Sequence, residues 1–294
     1  MTQLRKRVLE ELERRNYSQA TARAYVGAIG RFAAHFHCPP DRLGIEHVRQ
    51  YQVYLFRECK LKPHTVMQQM CALRFLYLKT LKRPFRRDDL PLPKTPRTLP
   101  AVLSTEETAR LIESAANLRH RTILMTLYAT GMRRAEVCRL QAQDIESARM
   151  MVHIRQGKGG KDRDVPLSST LLAQLRDYWH SRPHQRTSWL FPSLQHRLAG
   201  QPITCKTVWY ACRTAARRAG LTKNIHPHTL RHSFATHLVE AGTDLYTVMR
   251  LLGHADLRDT ELYVHLSKLH LQAPANPLDA LQLVVEAAGE PGEK

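Results

Sequence analysis

The chain begins with four stretches in which apolar residues recur every three or four positions, the spacing that puts them on one face of an α-helix. Gln3–Arg14 carries Leu4, Val8 and Leu12 on that spacing. Ser18 is placed to cap a second helix whose inner face is Tyr25, Ile29, Phe32 and Phe36. A third, near Gly44–Cys59, offers Val48, Tyr51 and Leu55, and a fourth, Pro63–Thr80, offers Val66, Met70, Leu73 and Tyr77. The leading proline of the fourth costs nothing, because the first amide of a helix has no partner in any case. Residues 1–83 therefore predict an all-helical domain. Pro84, Pro91, Pro93, Pro96 and Pro100 then forbid regular structure, so 84–103 reads as a stiff linker.

The pattern changes at Ser104-Thr105-Glu106-Glu107, a capping box that opens a second domain over 104–270. Helices are predicted at Thr105–Asn117 and Leu118–Ala129, the second broken by Thr130-Gly131. Met150–Arg155 alternates as a strand does, Gly157–Gly160 turns the chain, and Asp162–Leu167 returns as its partner. Helices follow at Ser168–His180, Thr204–Ala219, His228–Ala241 and Thr243–Leu252. Pro274 and Pro277 interrupt the chain before a short apolar helix, Leu278–Ala288, in a tail of 271–294. The fold class that follows is mainly α with a small antiparallel β-sheet, divided between two domains.

Charge narrows the partner. The 294 residues carry 45 Lys+Arg against 26 Asp+Glu, a formal +19, which favours a polyanion, DNA or RNA above an anionic membrane. Of these, 20 basic and 8 acidic residues fall within 1–100, so the helical domain reads as a DNA clamp. Lys82, Arg83, Arg86 and Arg87 at its edge are the candidate backbone contacts. No apolar run approaches the roughly 20 residues of a membrane span, and the N-terminus has no signal-peptide pattern. The six cysteines have no Cys-x-x-Cys pairing and read as reduced thiols of a cytoplasmic protein. A zinc site through His35, His37 and Cys38 is the competing reading, without the usual ligand spacing.

Three segments of the second domain carry candidate chemistry. In His226–His265, His228 and Arg231 stand three apart and share a helix face; His254 follows in Leu-Leu-Gly-His, and Tyr263 nine residues later. A guanidinium grips two phosphate oxygens in a fork, an imidazole moves protons, and a phenol can be a nucleophile. Ala129–Val137 places Arg133 just after the Gly131 break, at the start of a helix that itself favours an anion. Gly157-Lys158-Gly159-Gly160-Lys161 holds a lysine on a hairpin tip, where it can touch a phosphate or give a proton to a leaving sugar oxygen. The tyrosine needs help: its ordinary pKa is near 10, and nearby cations would stabilise its oxyanion. No acidic cluster suited to magnesium is apparent, so neither metal nor cofactor is expected.

Ala-Thr-Gly-Met-Arg-Arg-Ala-Glu, Gly-Lys-Gly-Gly-Lys-Asp-Arg-Asp-Val-Pro-Leu, His-Thr-Leu-Arg-His-Ser-Phe-Ala-Thr-His, Leu-Leu-Gly-His and Thr-Glu-Leu-Tyr together resemble the boxes of the tyrosine recombinases, the phage integrase family that includes the Xer resolvases. The resemblance covers essentially the whole length. It implies a two-domain architecture, a helical core-binding domain joined to an α+β catalytic domain. It also implies Arg133, Lys158, His228, Arg231, His254 and Tyr263 as catalytic residues, with Glu136 in support. Lys161 is the weaker alternative to Lys158, and His232 and His237 read as structural.

The implied reaction is metal- and ATP-independent cutting and rejoining of double-stranded DNA through a 3′-phosphotyrosine. The implied assembly is four protomers on two sites, a second recombinase being an optional partner, with the tail docking on a neighbour. A type IB topoisomerase, a telomere resolvase and a catalytically idle DNA-binding accessory protein are the alternatives.

Overall fold

The computed structural model describes residues 3–95, 99–155, 162–182, 187–195, 199–254 and 256–266. The chain divides into two compact units, Met1–Thr98 and Leu99–Lys294. In the first, α1 (Gln3–Arg14), α2 (Gln19–Phe36), α3 (Ile45–Arg57) and α4 (Pro63–Arg74) close on one core. Val8, Leu12, Ile29, Phe32, Val48, Tyr51, Leu55, Val66, Met70 and Leu73 are buried there, as the helical spacing requires, while Leu4, Tyr25 and Phe36 are half-buried at its rim. Ser18 caps α2, its hydroxyl accepting the Thr21 amide at 3.1 Å.

The fourth helix departs from expectation. Its α-geometry stops at Arg74, and Phe75–Thr80 continues as π-helix. The wider turn lets Tyr77 enter the core and direct its hydroxyl at the carbonyls of Pro40 (2.9 Å) and Leu43 (3.0 Å). His35 lies among Phe36, Tyr51 and Tyr54, with its ring 4.1 Å from that of Tyr54. Neither His35, His37 and Cys38 nor any other group among the described residues forms a metal-holding cluster.

The second unit is built around α6 (Leu118–Thr130), which packs against α5 (Thr105–Glu113), α7 (Arg134–Cys138), α8 (Ser169–His180), α9 (Cys205–Arg218) and α10 (Pro227–Glu240). A helix enclosed this way must satisfy its polar side chains internally. Thr122, Thr126 and Thr130 do so by donating to the carbonyls of Leu118, Thr122 and Thr126 at 2.8, 2.8 and 2.5 Å. α5 ends at Glu113 rather than Asn117, because Asn117 is the cap of α6 and accepts the His120 amide at 2.8 Å.

β1 (Ile145–Glu146), β2 (Met151–Ile154) and β3 (Arg163–Pro166) form an antiparallel sheet in that order, with Val152 opposite Val165 and Ile154 opposite Arg163. β1, two residues long, was not expected from the sequence. α11 (Leu245–Leu252) and α12 (Arg258–Leu266) pack with α10 and complete the described unit. Leu103, just ahead of α5, is clasped to α10: its amide donates to Ser233 Oγ at 2.9 Å, and its carbonyl lies 2.9 Å from His237 Nε2.

Candidate active site

Gly131 ends α6 in the left-handed region at φ +58°, and a β-carbon there would stand 2.5 Å from Cδ1 of Phe234. Glycine is thus required twice, for the turn and for the close approach. The reversal delivers Arg133 to the N-cap of α7. Glu136 closes the turn, its Oε2 accepting the Arg133 amide at 2.8 Å and its Oε1 the guanidinium at 2.9 Å.

A second arginine reaches the same carboxylate. Arg163, on β3, donates to Oε1 at 3.1 Å and to Oε2 at 2.7 Å, and its Nε holds the Leu251 carbonyl at 2.8 Å. Burial alone would raise the Glu136 pKa, but the two guanidiniums outweigh it and hold it at about 2. Glu136 is therefore a fixed anion between two cations.

Arg231, on the first turns of α10, is buried at 3% exposure. It donates to the Gly131 carbonyl and to the Leu252 carbonyl, each at 2.7 Å, where α6 and α11 end. Carbonyls at helix C-termini carry excess negative potential, so a cation is well placed there. Burial and neighbouring Arg133 lower the Arg231 pKa to about 10, which leaves it charged at neutral pH. Arg133 reaches the adjacent Gly253 carbonyl at 3.3 Å. Gly253 takes φ +63° to turn the chain there, against the Arg163 side chain. Each guanidinium commits only part of its five donors to these protein carbonyls and carboxylates.

Tyr263, on α12, is 2% exposed. Its hydroxyl lies 3.2 Å from Nδ1 of His232. Burial raises its pKa, and the Arg231 guanidinium pulls the other way. The His254 ring lies nearly parallel to that of Tyr263, 6.2 Å between centroids, and its Nδ1 is 2.8 Å from Thr260 Oγ1. His228 is open to solvent, 6.5 Å from the His232 ring. Desolvation on its packed side and Arg231 hold its pKa below the ordinary value. His232 is pushed down further, to about 4, chiefly by burial and then by His228 and Arg231. The ensemble gathers partly committed guanidiniums beside a buried hydroxyl, a donor set suited to an oxyanion.

Residues 101–270 match the phage integrase family, and residues 4–87 match the N-terminal SAM-like domain of phage integrases. The chain is a tyrosine recombinase of that family. It is 44% identical over 283 residues to y4qK of Sinorhizobium fredii, named an integrase/recombinase, spanning 96% of this chain and 90% of that one. Tyrosine recombinase XerA of Pyrococcus horikoshii is 33% identical over 271 residues, 90% of this chain and 91% of its own. Among solved structures, XerA recombinase matches with 28% identity and a TM-score of 0.54, covering 92% of this chain and 95% of that one. XerH bound to its palindromic difH substrate matches with 25% identity and a TM-score of 0.63, covering 76% and 70%.

Five of the six positions singled out in the sequence fall within the described part of the recombinase. Arg133, Arg231, His254 and Tyr263 gather where α6, α10, α11 and α12 meet, and His228 stands at their outer edge. Lys158 and Lys161, and the tail 271–294, lie outside the described residues. His237 is structural, holding Tyr128 Oη at 2.9 Å as well as Leu103. Two site residues escaped the sequence reading. His232 read as structural but touches the tyrosine, and Arg163 was not singled out although it stands in the quoted Lys-Asp-Arg-Asp run.

Lys82, Arg83, Arg86 and Arg87 are exposed. Arg83 also donates to the Asp41 carbonyl, the Arg87 carbonyl accepts from Arg74 at 2.6 Å, and the Arg86 amide donates to Asp89 at 2.7 Å. The backbones of Arg86 and Arg87 are thereby held, and all four side chains are exposed. No helix among the described residues is long and apolar enough to cross a membrane.

Proposed function

We propose that this recombinase cuts and rejoins DNA at a specific site with Tyr263 as nucleophile. The observation that carries the reading is the Tyr263 hydroxyl buried at the wall of a site made by Arg231 and Arg133. Tyr263 attacks the scissile phosphate, forms a 3′-phosphotyrosine and releases a 5′-hydroxyl. Arg133 and Arg231 hold the non-bridging oxygens and stabilise the charge that builds on five-coordinate phosphorus. Glu136 holds Arg133 in place, Lys158 protonates the leaving 5′-oxygen, and His228 and His254 assist in charge stabilisation and proton movement. The phosphotyrosine conserves the energy of the broken bond, so rejoining needs neither ATP nor a metal.

The helical domain, with Lys82, Arg83, Arg86 and Arg87, clamps the duplex from the backbone side, the Pro-rich 84–103 linking it to the catalytic domain. Four protomers pair two sites and exchange strands in two steps, each lending its tail, 271–294, to a neighbour. The reaction then takes place in the cytoplasm, with the nucleoid DNA. The family membership and the DNA-bound XerH structure support this reading.

A nicked suicide duplex carrying the target site tests it. Wild type should accumulate a covalent adduct while Tyr263→Phe binds the same duplex and forms none. No adduct on any cognate site would overturn the assignment of Tyr263. Truncation after His270 should leave DNA binding by single protomers intact and abolish the synaptic tetramer. A truncated chain that still assembles like the full one would refute the docking role.

A further inference from the structure

We propose that His232 is a catalytic residue of strand cutting: its Nδ1 takes the hydroxyl proton of Tyr263 as the phenolic oxygen attacks phosphorus, and returns it when the tyrosine is expelled. This rests on the assignment of Tyr263 as nucleophile. The hydroxyl needs a proton acceptor, and His232 Nδ1 stands 3.2 Å from it, inside the reach of a hydrogen bond. The two neighbouring imidazoles are differently disposed. His254 lies alongside the Tyr263 ring at 6.2 Å with its Nδ1 engaged by Thr260, and His228 is exposed, its ring 6.5 Å from that of His232.

The surroundings keep His232 able to accept. It shares α10 with His228 and Arg231, His226 caps that helix, and Tyr263 faces it from α12. Burial first, then His228, Arg231 and His226, disfavour a second proton on the ring, so the imidazole is neutral at physiological pH. Transfer ahead of attack is not the route. Burial pushes the phenol above its ordinary value and holds the imidazole down at about 4, both of which disfavour the ionised pair.

Proton transfer therefore accompanies formation of the phosphorus–oxygen bond, the moment at which the phenolic oxygen loses its hold on hydrogen. In the forward step the Tyr263 Oη–P bond forms and the P–O5′ bond breaks. The Tyr263 proton goes to His232 Nδ1, and the 5′-oxygen receives its proton from Lys158. The reverse step runs each transfer backward.

The experiment is single-turnover cleavage of the nicked suicide duplex by full-length protein, with DNA binding followed by mobility shift and folding by circular dichroism. His232→Asn keeps an acceptor atom close to the position of Nδ1 but removes the basicity. It should bind DNA normally and cleave about 100-fold more slowly or worse, the usual range for a lost general base. His232→Ala should be equally slow and partly restored by added imidazole.

A duplex with sulfur at the 5′-bridging position, whose leaving group needs no acid, should rescue Lys158→Ala and leave both His232 variants slow. Cleavage by His232→Asn at the wild-type rate would overturn the proposal, as would full rescue of the His232 variants by the sulfur substrate. If His232→Asn fails to bind or fold, imidazole rescue of His232→Ala decides, and absence of rescue overturns it. An adduct from wild type alongside these results keeps Tyr263 standing; its absence would remove Tyr263 first.

Discussion

Glu136 is a buried carboxylate whose two oxygens are both taken up by Arg133 and Arg163. Its pKa of about 2, against an ordinary 4.5, means that the native state favours the ionised carboxylate more strongly than the unfolded chain does. The difference corresponds to about 3 kcal/mol of stability, present in full above pH 4.5 and lost as pH falls toward 2. Glu136→Gln should therefore be less stable by about 3 kcal/mol at pH 7, and the gap to wild type should close on acidification. Urea unfolding at a series of pH values measures both. A gap independent of pH would mean that shape rather than charge matters at this position. Arg133 and Tyr263 could be picked out of the sequence because each sits in a short box, Arg133 just after the Gly131 turn and Tyr263 at the end of Thr-Glu-Leu-Tyr. Arg163 and His232 could not, because what defines them is a partner brought near by folding: Glu136, 27 residues away from the first, and Tyr263, 31 residues away from the second.

At the scale of elements, the site is a junction of helix ends. Gly131 and Gly253 each end a helix in the left-handed region, and the carbonyls around them anchor Arg231 and Arg133. Gly131→Ala combines an unfavourable φ with a contact of 2.5 Å to Phe234. It should cost about 1–3 kcal/mol and, by shifting the Gly131 carbonyl, slow adduct formation more than it weakens DNA binding. Thermal melts and suicide-substrate kinetics check the two halves separately; a variant with wild-type melting and cleavage would refute both. The helices themselves were largely legible, since periodic apolar faces and caps such as Ser18 and Ser104 act locally. Less so were β1, the π-helical stretch Phe75–Thr80 and α12. Two residues are too few to show alternation, a widened turn keeps the same buried face, and the apolar pattern of α12 is short.

On the scale of the whole molecule, the formal charge of +19 suits a DNA partner. Phosphate contacts release counterions, so affinity falls with salt at a slope of roughly 0.9 per phosphate neutralised. Replacing Arg86 and Arg87 by glutamate should weaken binding to cognate and unrelated duplexes alike and flatten that slope by about one to two units. Fluorescence anisotropy across a salt series reads both, and an unchanged slope would place the clamp elsewhere. Five prolines between 84 and 100 keep regular structure short, yet Arg87–Asp89 forms a 3-10 turn and Leu90 is buried in the first unit's core, which proline spacing alone does not show. The base sequence of the target was not legible, since groove readout rests on a few side chains rather than on pattern.

The clasp on Leu103 has a mechanical side. The residue lies in an irregular stretch, yet both its backbone groups are tied to α10, at Ser233 and His237, within two turns of Arg231. A slack loop would absorb tension arriving along the chain from Pro100; a fastened one transmits it. Tension on that tether would load Lys223, which donates to the Val102 carbonyl at 3.0 Å, and the helix that carries Arg231 and His232. The Leu103 amide should accordingly exchange with deuterium as slowly as those inside helices. Rapid exchange there would mean that the tether is not anchored at that point.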